Sequence, residues 1–183
     1  MYNWRMDIAR FGPDRGFSTR RLGLPDLPAL QEMFHRAADY FEIATGAGPA
    51  PDEAERAFVG GPPTKSVSDK QTIGVFDDAG ALVGVLDAIP DFPSEGTCTI
   101  GMLLLDPAAR GRGVGGAALA AFEAWMTHRG TRQFRTAIVT HHAEGLAFLR
   151  REGYAEVSRL EGYGRGAARS TIVFLEKAAG LPG

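Results

Sequence analysis

Residues 103–122 read LLLDPAARGRGVGGAALAAF, and no other stretch of the chain limits its fold as strongly. An apolar run ends at Asp106-Pro107. Arg110-Gly111-Arg112-Gly113-Val114-Gly115-Gly116 follows, and apolar residues at helical spacing come next. A strand must therefore pass into a helix through a glycine-rich corner. Glycines let such a corner turn tightly, and its backbone N–H groups, with the helix N-terminus, close around an anion. The stretch predicts an anion site inside an α/β framework.

The flanking sequence fills in that framework. Residues 1–16 mix aromatics, Arg, Gly and Pro without periodicity and read as an N-terminal extension; residues 17–183 read as a single domain. FSTRRLG (17–23) predicts a strand. Pro25 and Asp26 open a helix whose face carries Leu27, Leu30, Phe34, Ala37 and Phe41. PDEAERAFVG predicts a short second helix, with Pro at its start and Gly at its end. TIGVFD and ALVGVLDAI, separated by DAG, predict a hairpin, and TCTIGMLLLD a long strand. A helix over 115–128, a strand FRTAIVT, a helix AEGLAFLRRE and strands YAEVSRL and STIVFLEKA complete an α+β order.

Composition excludes several classes. The chain has 183 residues, 44% hydrophobic and 23% charged, enough to bury a core without disulfides or metal. Twenty Lys and Arg stand against 22 Asp and Glu, a formal charge of −2, with no basic stripe for a nucleic acid. The single cysteine, Cys98, has no partner for a disulfide, zinc-ligand spacing is absent, and no metal is expected. No apolar run reaches the roughly 18 residues of a membrane span, and the N-terminus lacks an h-region. The expectation is a cytoplasmic protein with no membrane partner.

Three phosphate-binding designs compete for the corner. A P-loop needs Gly-Lys-Ser/Thr, whereas this loop ends Gly115-Gly116-Ala117. Gly111, Gly113 and Gly116 satisfy the dinucleotide pattern GxGxxG, but five residues separate them from the strand, and the next strand ends Val139-Thr140-His141 without the acid that would take the ribose. The third design is a strand, a Pro-containing connection, Arg-x-x-Gly-x-Gly and a helix; Arg110, Gly113 and Gly115 fit it. There the chain resembles the GNAT superfamily of acetyl-CoA-dependent N-acetyltransferases. The resemblance covers roughly residues 17–177, with Gly153-Tyr154 and Phe148 matching the second signature helix.

The resemblance implies a GNAT fold: a mixed central sheet of six to seven strands, splayed at the coenzyme A site and flanked by about four helices. It implies acetyl-CoA as co-substrate and a primary amine of a small molecule or peptide as acceptor, attacked directly. Arg110, Gly111, Arg112, Gly113, Val114, Gly115 and Gly116 would hold the pyrophosphate. Backbone groups of Leu103, Leu104 and Leu105 would bind the pantetheine arm. His142 stands at the position usually held by Asn and would assist on the coenzyme side. Leu149 stands at the position usually held by Tyr, so the usual general acid is missing. Asp87, Glu42 and Asp39 are the candidate bases, and His142 and Tyr163 the candidate substitutes for the acid. Homodimers are common in such chains, and analogy alone suggests one here. Two other readings stay open: a catalytically weak acyl-CoA-binding or sensor module, and an NAD(P)-dependent oxidoreductase.

Overall fold

Alternating apolar residues become strands where turn residues let the chain reverse. The computed structural model of the protein describes residues 8–11, 16–163 and 170–180. Eight strands form one sheet: β1 (Ile8–Phe11), β2 (Phe17–Arg21), β3 (Gln71–Asp77), β4 (Leu82–Ile89), β5 (Thr97–Leu105), β6 (Gln133–Val139), β7 (Ala155–Tyr163) and β8 (Ser170–Ala178). Their order is β1-β2-β3-β4-β5-β6-β8-β7, and only β5 and β6 pair in parallel. The sheet exceeds the expected six to seven strands because residues 8–11, inside the stretch read as an extension, pair antiparallel with β2.

Five α-helices flank it: α1 (Leu27–Arg36), α2 (Ala38–Thr45), α3 (Glu53–Val59), α4 (Val114–Thr127) and α5 (Ala143–Arg151). The fifth arises at Ala37, where ψ of 33° leaves the helical range and splits one predicted helix into α1 and α2. The apolar face survives the break. Leu30, Met33, Phe34, Ala37 and Phe41 share one cluster with Ala54 of α3, Val85 and Leu104. Phe34 and Phe41 meet edge-on at 5.0 Å between ring centroids.

Leu86, one residue beyond Val85, belongs to the other cluster, with Ile73, Cys98, Ile100, Phe134 and Leu175 of the sheet and Leu119, Phe122 and Met126 of α4. Successive strand residues face opposite ways, so α1–α3 cover one face and α4 with α5 the other. Burying each large side chain contributes about 1.5–3 kcal/mol.

Two irregularities matter for function. Asp87 pairs with Met102 and Ala88 with Ile100, so Gly101 is an extra residue in β5. β5 pairs with β6 only from Thr97 to Ile100. Beyond that point β6 continues beside β8 alone, and the two central strands part.

Candidate active site

The fork between β5 and β6 opens a cleft of about 520 Å³. Its floor is Ile100–Leu105; Thr136, Ala137 and Ile138 form the opposing edge. Past Ile100 the β6-facing edge of β5 has no strand partner among the described residues. Leu103, Leu104 and Leu105 lie on it, while their side chains pack into the clusters on both faces.

At the wide end stands the glycine corner. The Asp106 carboxylate accepts from the Ala108 N–H at 3.0 Å and pairs with Arg36 of α1, which fixes the 3-10 turn Pro107–Ala109. Gly111 (φ 71°) and Gly113 (φ 75°) then adopt left-handed conformations that disfavour any side chain. Gly113 caps α4, and the first bond inside the helix runs from Ala117 N–H to Gly113 carbonyl. The N–H groups of Val114, Gly115 and Gly116 have no intrahelical partner. Gly111, Gly113, Gly115 and Gly116 all line the cleft, so this end presents donors and a helix N-terminus to an anion.

The other expected phosphate ligands sit differently. Val114 is buried in the core beside Phe17 and Val75. The guanidinium of Arg112 lies over the Phe17 ring, 5.4 Å from its centroid, outside the cleft. Arg110 lines the cleft, but its Nε donates to the Leu105 carbonyl at 3.0 Å and its Nη2 to Asp39 at 2.9 Å.

The fold, the fork and the glycine corner agree with the comparison of the chain with known families. Residues 30–154 match the model of the acetyltransferase (GNAT) family. The chain belongs to that family.

No curated protein sequence matches the chain. Among solved structures, an acetyltransferase from Thermus thermophilus superposes with a TM-score of 0.71 at 21% identity, over 89% of this chain and 97% of its own. The ribosomal-protein-S18-alanine N-acetyltransferase of Escherichia coli gives 0.69 at 15%, over 91% and 96%. A ribosomal L7/L12 α-N-protein acetyltransferase solved with coenzyme A gives 0.74 at 14%, over 91% and 95%. At these identities the likeness is one of fold. Family membership makes the protein an acyltransferase.

The candidate catalytic residues of this GNAT chain divide by position. His142 lines the cleft and caps α5: its Nδ1 accepts the Gly145 N–H at 2.9 Å, which leaves Nε2 to carry the ring proton. Leu149 lines the cleft about two turns on, so α5 offers no phenol. Tyr163 ends β7, and its side chain lies outside the described residues. Asp39 lines the cleft, but the hydrogen bond from Arg110 holds its carboxyl below the usual range, which suits an ion-pair partner better than a base. Glu42 is exposed and lies off the cleft.

Asp87 is half-buried on the face covered by α1–α3, next to the bulge. A Cβ on Gly101 would stand 3.3 Å from Asp87 Oδ2. Gly101 itself is exposed in the middle of the sheet and lines the cleft. Asp87 itself does not line the cleft, but Gly101 lies between the two and puts no side chain in the way. Burial pushes the Asp87 carboxyl above the usual carboxylate range, against the pull of Lys70 and of the Thr72 hydroxyl.

Three residues of the site were not among the expected ones. Gly101 had a signal, a glycine inside the apolar run TCTIGMLLL, which marks a bulge or a close approach. Tyr40 lines the cleft edge-on to His142, with 6.0 Å between centroids. Burial, with a smaller push from Glu53, holds its hydroxyl above the usual phenol range. Lys70, in SVSDK, carried no signal, because a lysine in a polar loop reads as solvated. Cys98 is buried, which pushes its thiol up to about 12 and leaves it no part as a nucleophile. Among the described residues no group of His, Cys, Asp and Glu is arranged to hold a metal ion, and no helix is long and apolar enough to cross a membrane.

Proposed function

We propose that the protein moves an acetyl group from acetyl-CoA to a primary amine by direct attack, without a covalent enzyme intermediate. The observation that carries this reading is the line of features along one strand. β5 runs from an exposed bulge at Gly101, beside Asp87, to a glycine corner built for a pyrophosphate. The span from Gly101 to Leu105 is about 13 Å at strand rise, and its open backbone edge matches an arm with two amides.

In this reading the corner binds the pyrophosphate and the edge of β5 binds the pantetheine. The thioester then lies near the bulge, where a backbone N–H polarises its carbonyl. The acceptor arrives from the α2 side, past Tyr40 and Ile43. Asp87 takes a proton from the acceptor ammonium, and the freed lone pair attacks the thioester carbon. The C–S bond breaks on collapse, and the second amine proton goes to the departing thiolate. A thiol with a pKa near 8.5 leaves tolerably near neutral pH, which fits the Leu149 that replaces a proton donor. Two of the neighbouring structures belong to enzymes named for acetylating ribosomal-protein termini, so α-amino peptides are the first acceptors to try.

The test starts with thermal unfolding in the presence of acetyl-CoA, CoA, NAD or NADP. A ligand at about 100 times its Kd adds about 2.7 kcal/mol. Stabilisation by acetyl-CoA and CoA, followed by thiol release with an amine, supports the proposal. Stabilisation by a nicotinamide dinucleotide alone overturns it. Binding of acetyl-CoA without turnover of peptide or small amines favours the sensor reading, for which Leu149 is the specific observation.

A further inference from the structure

Lys70 is a buried cation that the chemistry above does not use. Its side chain is 7% exposed, and it leaves the end of the 66–70 loop to reach beneath α3. The ammonium donates to the Gly60 carbonyl at 2.6 Å and to the Ala57 carbonyl, and it stands 3.1 Å from Asp87 Oδ2. Those partners use all three of its hydrogens. Two are carbonyls from the last turn of α3 and the residue after it, where a cation is electrostatically favoured. The third is the carboxylate beside the open bulge.

We propose that Lys70 is a positioning residue: anchored on α3, it holds the Asp87 carboxylate at the Gly101 bulge in the place and charge state needed to receive the acceptor's proton. The inference rests on the reading of Asp87 as the base.

The surroundings of Asp87 make Lys70 the decisive group. Thr72 of β3 donates its hydroxyl to Asp87 Oδ1 at 3.1 Å, which orients the carboxylate without adding charge. β5 contributes Gly101 and Met102, neither of them titratable. From α3 come the carbonyls of Ala57 and Gly60. Among the described residues, Lys70 is the one charged group that acts on this carboxyl. With Oδ1 on Thr72 and Oδ2 on Lys70, the carboxylate keeps a fixed orientation beside Gly101, which lines the cleft. An ammonium has no lone pair to accept a proton, so the part of Lys70 is to hold Asp87. Asp87 accepts the proton and later returns it to water.

The experiment combines two measurements on the full chain. The first is a carbon-13 titration of aspartate-labelled protein, with the Asp87 carboxyl assigned by Asp87→Asn; it needs no acceptor. In Lys70→Met the midpoint rises by about one pH unit or more, and Lys70→Arg, which keeps the cation, restores most of the shift. The second is the pH profile of kcat/KM for thiol release from acetyl-CoA, with an alanine-initiated pentapeptide as acceptor. The acid limb moves up with the Asp87 midpoint in Lys70→Met. Because Lys70 acts through Asp87, adding Lys70→Met to Asp87→Asn lowers turnover no further.

An unmoved Asp87 midpoint, or a full additional loss in the double variant, overturns the role of Lys70. Full activity of Asp87→Asn overturns the reading of Asp87 as base and leaves the titration result standing. Thermal midpoints and coenzyme A affinity, measured alongside, separate loss of fold from loss of positioning.

Discussion

Arg110 of the glycine corner and Asp39 of α2, 71 residues apart in sequence, form a two-pronged ion pair across the mouth of the cleft. The arginine expected to meet the pyrophosphate is thus held by a carboxylate expected to meet the amine. Each neutralises the other, and the pair ties α2 to the glycine corner.

Removal of Asp39 therefore raises the positive potential at the corner. Asp39→Asn is expected to tighten coenzyme A binding by roughly two- to fivefold, the scale of an exposed ion pair, with a steeper salt dependence. Arg110→Met has the opposite effect. Isothermal titration at two ionic strengths reads both, and with Asp87 as the proposed base Asp39→Asn is expected to retain turnover. Loss of turnover at unchanged affinity contradicts that assignment.

Gly101→Ala isolates the bulge. Its backbone φ is not positive, so alanine is tolerated there, but the added methyl stands 3.3 Å from Asp87 Oδ2 and closes the approach from the cleft. Turnover is expected to fall roughly a hundredfold, the effect of misplacing reactants by about an ångström, while coenzyme A affinity stays within a factor of two or so. Steady-state kinetics beside titration of CoA distinguishes this from general damage.

Tyr154 secures the second signature helix. Its hydroxyl donates to Glu123 Oε1 at 2.7 Å, and Lys177 Nζ reaches Oε2 of the same carboxylate at 2.6 Å, which joins α4, β8 and the residues after α5. Tyr154→Phe leaves a buried carboxylate oxygen without its donor and should lower stability by about 1.5–3 kcal/mol in urea unfolding. An unchanged midpoint means that water replaces the phenol.

Acid weakens the glycine corner through Asp106. Burial acts to raise its pKa, but the Arg36 hydrogen bond and the Ala108 N–H outweigh it, so the carboxyl titrates below its ordinary range. A depressed carboxylate contributes stability above its unfolded pKa, near 3.9, and that contribution is lost as pH falls through the folded value. Asp106→Asn should lower stability by roughly 1–3 kcal/mol at neutral pH. The difference from wild type closes below about pH 4. Unfolding curves across that range show whether the two lines converge.

Much of the fold was legible because it depends on local pattern. The alternation in TIGVFD and ALVGVLDAI, the glycine punctuation at 111–116 and the helical spacing from Ala118 to Met126 each specify an element without help from distant residues. β1 was not legible, because residues 8–11 owe their strand to the edge of β2 rather than to any alternation of their own. The break at Ala37 was hidden for a related reason: Arg36-Ala37-Ala38 carries no breaker, and both helices keep the same apolar face.

In the site, the left-handed glycines and the helix start behind them followed from glycine spacing between a strand and a helix. The pairing of Arg110 with Asp39 and of Lys70 with Asp87 joins residues far apart in sequence, and a charged side chain in a polar loop gives no hint of where its partner lies.

β5 and β6 share only four residue pairs, so the antiparallel meander β1–β5 and the β6–β8 unit meet along a short seam. Local opening follows the line of fewest backbone bonds, and here that line is the floor of the cleft. In the proposed binding mode, a cofactor along the free edge of β5 takes the place of a strand that the described residues do not supply. Occupancy then stiffens the sheet across its middle, and the ligand completes the architecture as well as feeding the reaction.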